Sequence, residues 1–300
     1  PTTVRPDRDS PARVLYGQAS GVGGGTLHWA AMARRFHEDD FHVRTSTIER
    51  YGEGALPEGN LIEDWPFTYA DLEPFYDQAE YELGVSGVWA RAGGNPFEAP
   101  RARDYPLPPL HEDVASRTFT EAAASLGYHP FPNPAGILSQ DYTGPLGIQR
   151  YACQYCGFCR NHACMTDAKA SSLVTVIPVA LATGNLEIRS NCTAVKINLD
   201  ETGTRAKSVS YYDPSGTLQE QEASLIIVAA GSLIESVRLL MLSSSDRYPT
   251  GLGNSSGWLG KGYIAHMRPS LVCLYDDPIN AHIGPNHPNA SIDDFNADNF

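Results

Sequence analysis

Four of the chain's six cysteines fall between Cys153 and Cys164, spaced C-x2-C-x2-C-x4-C. No other feature constrains the local fold as tightly. The spacing requires a close loop that turns several sulfurs toward one centre, and thiolates held that close repel one another unless a cation joins them. Structural zinc sites generally use two separated knuckles, whereas one evenly packed run is nearer the bacterial iron–sulfur pattern. Cys153, Cys156, Cys159 and Cys164 are therefore candidate metal ligands. Iron–sulfur leads zinc, and disulfides or unmodified thiols are the remaining alternative. Arg150, Arg160, His162 and Lys169 are close enough in sequence to offset a negative cluster.

The chain has 300 residues, 42% apolar and 19% charged, enough for one large domain or two ordinary ones with a sizeable core. A net charge of -13 argues against a nucleic-acid or anionic-membrane surface, which relies on clustered Lys and Arg. The longest strongly apolar stretch, Leu225 to Ile234, is too short to span a bilayer. The first residues, from Pro1, show no targeting signal.

Glycine and proline punctuate the chain. ARVLYGQASGVGGGTLHWAAMARRF at 12–36 predicts a short strand, a glycine turn and a helix opening near Leu27. Thr68 is placed to cap a helix over Tyr69 to Leu83, with Leu72, Phe75, Tyr76, Ala79 and Leu83 at the spacing of a buried face. From Ala92 to Pro109 periodicity vanishes, which predicts an irregular excursion over the surface. Further helices are expected over Glu112 to Leu126 and Ser171 to Ala182. From Asn185 the pattern turns to short β runs, LEIRSN, TAVKINLD, RAKSVSYYD and TLQEQEASLIIVAA, with turns at 201–203 and 213–216. The last run, Leu225 to Ala230, is continuously apolar, like a central strand of a parallel sheet, and Gly231 then leads into a helix over Leu233 to Ser243. Strand, glycine turn and helix make a ligand-facing edge in α/β folds.

Gly21, Gly23, Gly24 and Gly25 precede Thr26-Leu27-His28-Trp29, and a loop of that kind lets a flat ligand or a phosphate approach the backbone. His28 at its exit has two readings, a packed imidazole hydrogen-bonded to a carbonyl or a group touching a bound ring. The dinucleotide fingerprint G-x-G-x-x-G is absent, since the similar spacing from Gly251 to Gly257 follows a helix and a polar turn rather than a strand. Asp39–Asp40 and Asp276–Asp277 read as solvated turn residues and His266 as structural.

Together, GVGGGTLHW at 21–29, WPFTYADLEPFYDQAEYELGVSG at 65–87, CQYCGFC at 153–159, LIIVAAGSLIESVRLLMLSSS at 225–245 and GLGNSSGWLG at 251–260 resemble the glucose-methanol-choline (GMC) oxidoreductases, in particular the gluconate and sugar dehydrogenase branch. The resemblance implies an α/β fold, with an incomplete FAD/NAD(P)-binding Rossmann-like domain and part of an α+β substrate domain. Residues 1–66 would carry the flavin loop, 67–150 a helical and irregular cap, 151–250 the cysteine loop, meander and last strand-turn-helix, and 251–300 the start of the substrate domain. It also implies flavin contact by Gly23, Gly24, Gly25, Thr26, His28 and Trp29, with His28 where some relatives link FAD covalently. Val195 matches a position whose backbone meets adenine, and Ala230 and Gly231 match the turn after the last flavin-domain strand. Some relatives hold a [3Fe–4S] cluster, for which Cys153, Cys159 and Cys164 form the best triad and Cys156 is a spare or fourth ligand.

By the same resemblance, the first βαβ unit precedes residue 1 and the catalytic His–Asn or His–His pair follows residue 300, so the chain reads as an internal fragment and no catalytic residue is named in it. The expected activity is oxidation of a sugar, sugar acid or other alcohol by hydride transfer to FAD, with a cytochrome or other acceptor protein as partner. A non-catalytic iron–sulfur or metal-binding carrier, or an inactive piece of the enzyme, are the rival readings. Relatives are periplasmic or membrane-associated as well as soluble and cytoplasmic, which leaves the compartment open.

Overall fold

The computed structural model describes residues 3–4, 13–14, 20–263, 271–280, 282, 284–285 and 289–296. The chain forms two compact units, Gly25–Asn185 with Cys273–Phe300, and Pro1–Gly24 with Leu186–Val272. His266 and residues 15–19 of the expected first strand lie outside the described residues.

The larger unit carries helices α1 (Val43–Tyr51), α2 (Tyr69–Leu83), α3 (Val114–Ser125) and α4 (Val176–Ala182). α2 starts where the sequence predicts. Thr68 Oγ1 accepts from the Asp71 amide at 3.3 Å while the Asp71 carboxylate accepts from the Thr68 amide at 2.8 Å, and Gly84 ends the helix. The buried face is not the expected one. Leu72, Tyr76 and Leu83 are half-buried, but Phe75 is 65% exposed and Ala79 is exposed, while Tyr69 and Glu80 are fully buried. The reason is charge pairing. Glu80 accepts from Arg35 Nε and Nη2 at 2.8 and 2.9 Å and from Arg101 Nη2, and Glu73 accepts from Arg35 Nη1 at 3.0 Å. A carboxylate enters a core when it is paired and hydrogen-bonded, which a pattern of apolar residues does not register.

The segment 92–109 is irregular, as predicted, and runs partly over the surface, with Gly93, Pro96, Ala102, Arg103 and Asp104 exposed, but it also dips into the core. Asn95, Ala99, Arg101 and Leu107 are buried. At Leu107 the backbone is paired on both sides, by the Gly87 amide on Leu107 O at 2.9 Å and the Leu107 amide on Val85 O at 3.3 Å. α3 begins at an Asp113 cap whose carboxylate accepts from the Ser116 amide at 2.7 Å. α4 starts later than Ser171. The hydroxyl of Thr175 donates to Ser171 O at 2.7 Å, and this local bond favours a turn over a first helical turn.

No helix opens at Leu27. A 3-10 turn covers Gly24–Leu27, and the chain then enters the core without a helix, with Ala31 at φ 63°. Ala31, Ala135, Ile137, Leu138, Ala168 and Ala170 are each at most 1% exposed and mark three strands of chain held side by side. The Gly136 amide donates to Ala31 O at 2.7 Å, the Ala170 amide to Gly136 O at 2.8 Å and the Leu138 amide to Ala168 O at 3.0 Å. Those carbonyls and amides bind across segments, which removes them from any helix over 27–36.

In the smaller unit, Thr193–Leu199, Ala206–Tyr212 and Leu218–Glu222 form the predicted antiparallel meander. Helix α5 (Ser232–Leu242) packs on its first strand, and the buried Ser243 hydroxyl accepts from the Ile197 amide at 2.8 Å. LEIRSN is not a strand. Its Arg189 reaches the meander through its side chain, donating to the Tyr211 hydroxyl at 2.8 Å. Leu225 to Ala230 is likewise without a ladder, and Leu225 and Ile227 are 76% and 81% exposed. All ladders among the described residues are antiparallel, so no parallel sheet is present there to receive that run. The observed class is mixed α and β.

Candidate cofactor-facing loop

The glycine loop takes the shape its sequence suggests. Gly23 and Gly24 have φ of 109° and 57°, and a Cβ at Gly24 or Gly25 would meet nothing within 4 Å. The backbone there is open to a flat partner, and at Gly24 an L side chain would be conformationally strained.

Downstream the loop is anchored at every residue. Thr26 Oγ1 accepts from the Ser172 amide at 3.1 Å. Lys169 Nζ donates to Leu27 O at 3.1 Å and to Trp29 O at 3.0 Å, and the Asn161 amide donates to His28 O at 3.0 Å. Trp29 Nε1 donates to Ala170 O at 2.8 Å, and its ring lies against Gly136, where a Cβ would stand 2.9 Å from Cζ2. Three successive carbonyls, from Leu27 to Trp29, thus bind residues that follow the cysteine loop or sit inside it.

His28 itself is half-buried, and among the described residues its imidazole has no hydrogen bond or ring contact. The packed reading of this residue required a carbonyl partner for the ring. Here the backbone is held on both sides while the ring is left available.

The cysteine loop is tight, with Tyr155, Gly157, Asn161 and Asp167 all at positive φ. Cys159 is buried, Cys153 and Cys164 are half-buried and Cys156 is exposed. The thiols differ in chemistry. Burial pushes Cys153 up, opposed by the Tyr155 amide that donates to its sulfur at 3.3 Å. Burial also acts upward on Cys164, but bonds from Thr166, Lys169 and Ala168 outweigh it and bring that thiol below its ordinary range. Lys169 is 2% exposed; burial lowers its pKa, and Cys159 and Cys164 act against that. Arg150, also buried, donates to Leu83 O and to Asp167 O.

Among the described residues no three His, Cys, Asp or Glu side chains are grouped as metal ligands, and no disulfide is present. Amides and cations that suit thiolates surround the loop, yet the sulfurs as arranged do not make a cluster site.

The remaining sequence-named positions lie in the smaller unit with Gly23 and Gly24. Val195 sits at a bulge, since Ala194 pairs Tyr211 and Lys196 pairs Ser210, which leaves its backbone off the ladder. Ala230 is exposed, and Gly231, at φ 82°, precedes α5 with open space at its Cβ position. Sequence reasoning overlooked Asn161, Gly136 and Ser172 as supports of the loop. It noted Lys169 only as a counter-charge. The signal for burial was local, because Lys169 stands between Ala168 and Ala170 in a run of small residues.

No helix among the described residues is long and apolar enough to cross a membrane. The chain is 34% identical to the gluconate 2-dehydrogenase flavoprotein of Pantoea cypripedii over 99% of its own length and 51% of that protein. It is 30% identical to the fructose dehydrogenase large subunit of Gluconobacter japonicus over 90% of this chain and 45% of the relative. The paromamine 6'-oxidase of Streptomyces fradiae is 29% identical over 92% of this chain and 48% of the relative. The chain thus spans about half the length of the curated relatives it matches. A solved FAD-dependent oxidoreductase from Chaetomium thermophilum aligns with a TM-score of 0.44 and 21% identity over 75% of this chain and 34% of its own, a likeness too low to carry any part of the assignment. The GMC oxidoreductase family model matches residues 108–268, more than half of the sequence, and with the relatives' identity over nearly its full length the chain belongs to the GMC oxidoreductase family.

Proposed function

We propose that the chain is the flavin-contacting part of an FAD-dependent oxidoreductase that oxidises the CH–OH group of a sugar, sugar acid or other alcohol and passes the electrons to an external acceptor. The printed names of the relatives, a gluconate dehydrogenase, a fructose dehydrogenase and a paromamine oxidase, support the substrate class. The observation that carries the reading is the loop from Gly23 to Trp29, open at Gly24 and Gly25 and anchored at each residue from Thr26 to Trp29, with the His28 ring unengaged among the described residues.

When bound, the flavin supplies the hydride acceptor. The residues of this chain present and orient it. Gly24 and Gly25 offer main chain without side-chain obstruction, Trp29 is fixed by Ala170 O, and the carbonyl bonds hold His28 at one position. A covalent link through His28 is the finer form of this proposal. Val195 and Gly231 would present free backbone to the rest of the cofactor. Leu225 to Ala230, with Gly231 and α5, is proposed as a strand-turn-helix edge of a Rossmann-like sheet, a role that would bury Leu225 and Ile227. The division into flavin-binding segments at 1–66 and 151–250, a cap at 67–150 and a substrate-domain start at 251–300 is part of the same proposal. The base that removes the hydroxyl proton is assigned to no residue here.

A [3Fe–4S] cluster on Cys153, Cys159 and Cys164 is supported by the amides on Cys153 and Cys164 and by buried Lys169 and Arg150, but not by the arrangement of the sulfurs. An absorption spectrum and iron assay, on the chain with and without its genomic flanks, test both parts. Bound flavin that survives acid precipitation establishes the covalent form, and flavin lost to the supernatant the non-covalent one. Flavin without iron removes the cluster. Iron without flavin in either form of the chain overturns the oxidoreductase reading in favour of a carrier.

A further inference from the structure

Lys169 is 2% exposed, and its ammonium has main-chain carbonyls as hydrogen-bond acceptors. It stands 3.1 Å from Leu27 O, 3.0 Å from Trp29 O, 2.6 Å from Cys159 O and 2.7 Å from His162 O. Two of these acceptors lie in the loop that exits the glycine turn and two in the cysteine loop. An ammonium has three protons, so four acceptors at these distances share them, and the carbonyl dipoles together stabilise a charge that burial disfavours.

Without that charge the four oxygens would face one another unscreened. The cation is therefore what allows the two loops to meet. The Asn161 amide on His28 O, at 3.0 Å, makes the contact continuous through residues 27, 28 and 29. On the far side, the Lys169 amide donates to Cys164 Sγ at 3.5 Å, so the same residue touches a thiol through its main chain.

We propose that Lys169 is a positioning residue that couples the two loops, so that occupancy of the loop bearing His28 changes the exposure of the thiols at Cys159 and Cys164. The coupling is reciprocal, because a ligand that orders one loop lowers the cost of ordering the other. The proposal rests on the reading of Thr26 to Trp29 as a flavin-contacting loop. It adds to that reading a residue that touches neither flavin nor substrate and acts through the backbone of both loops.

The test uses the chain with its genomic flanks, with FAD as the probe, and reads amide exchange by mass spectrometry and thiol labelling by an aromatic disulfide reagent. In the unmodified chain, peptides covering 26–31 and 159–163 should exchange at a common rate, and FAD should slow labelling of Cys159. In Lys169→Met both peptides should lose protection by about tenfold or more, as loss of a hydrogen bond to a charged group predicts. Peptides of the meander at 193–212 should be unchanged, and FAD should no longer slow labelling. In Lys169→Ala, methylammonium should restore protection, which a general loss of packing would not allow.

Retained protection of 26–31 in Lys169→Met overturns the proposal, and so does an unchanged effect of FAD on labelling. Should Lys169→Met unfold, the unmodified chain decides, since separate exchange rates for the two peptides also exclude coupling. Failure of the unmodified chain to bind FAD even with its genomic flanks sinks the flavin reading alone, and the exchange arm still tests Lys169.

Discussion

Gly136→Ala is the sharpest test of how the loop is built. Gly136 has no positive φ, so alanine introduces no backbone strain and acts by volume alone. Its Cβ would stand 2.9 Å from Trp29 Cζ2 and 3.0 Å from Cη2, closer than carbon atoms pack. The indole has to move, and its Nε1 bond to Ala170 O is the contact that breaks first. Overpacking of this kind costs about 1–3 kcal/mol and the lost hydrogen bond about 0.5–1.5 kcal/mol. At roughly 2–4 °C per kcal/mol for a unit of this size, the melting temperature should fall by about 3–18 °C. Differential scanning calorimetry gives that shift, and flavin titration should show weaker binding because Trp29 and His28 share one backbone segment. A melting point within about 1 °C of the unmodified chain, together with unchanged flavin affinity, would refute the reasoning.

Gly24→Ala meets open space, so its cost is the left-handed backbone alone, about 1–2 kcal/mol; flavin affinity should drop while urea denaturation shows little change beyond that. Glu80→Gln leaves Arg35 and Arg101 buried without their shared carboxylate and should destabilise by about 3–5 kcal/mol in urea titration. Exchanging Arg35, Glu80 and Arg101 together for apolar residues should recover much of it, whereas a single-site effect below about 1 kcal/mol would mean the group is not paired in solution. His37 and Asp293 make a pH-dependent pair at 3.4 Å, with Arg34, Asn95 and Asp40 as the other groups facing it. The bond to Asp293 holds His37 above its ordinary pKa. Burial acts upward on Asp293, but His37, Arg34 and Asn95 outweigh it and bring it below the carboxylate range. The histidine contribution is therefore complete below about pH 6.5 and fades as pH rises through the raised value, and the aspartate contribution fades as pH falls below about 4. Asp293→Asn should flatten the fall in stability between about pH 6 and pH 8, and a slope identical to that of the unmodified chain would refute the pairing.

Local signals in the chain specified much of the regular structure. Thr68 caps α2 at the residue its type and position predict, because a cap and its reciprocal bond with Asp71 need only neighbours in sequence. The meander and its turns at 201–203 and 213–216 follow from alternation and glycine placement in the same way. The errors share one cause. Glu80 goes inward because Arg35 and Arg101 arrive from other segments, and Leu107 is buried because Val85 and Gly87 pair with it. Leu225 to Ala230 has the apolar continuity of a central strand, and its proposed role as one needs a neighbour to supply the other half of each hydrogen bond, which no described residue does.

At the candidate site the division is similar. The residue types of the glycine loop, His28 and the four cysteines were legible from order and spacing alone, and they led to the family that the comparisons establish. Which atoms hold that loop was not, since Lys169 is more than a hundred residues from the carbonyls of Leu27 and Trp29 that it binds. The amino-acid order determines turns, caps and alternation because those depend on the chemistry of adjacent residues. Burial of a charge, the partner of a carbonyl and the room left beside Trp29 depend on segments distant in sequence, and the tertiary structure alone decides them.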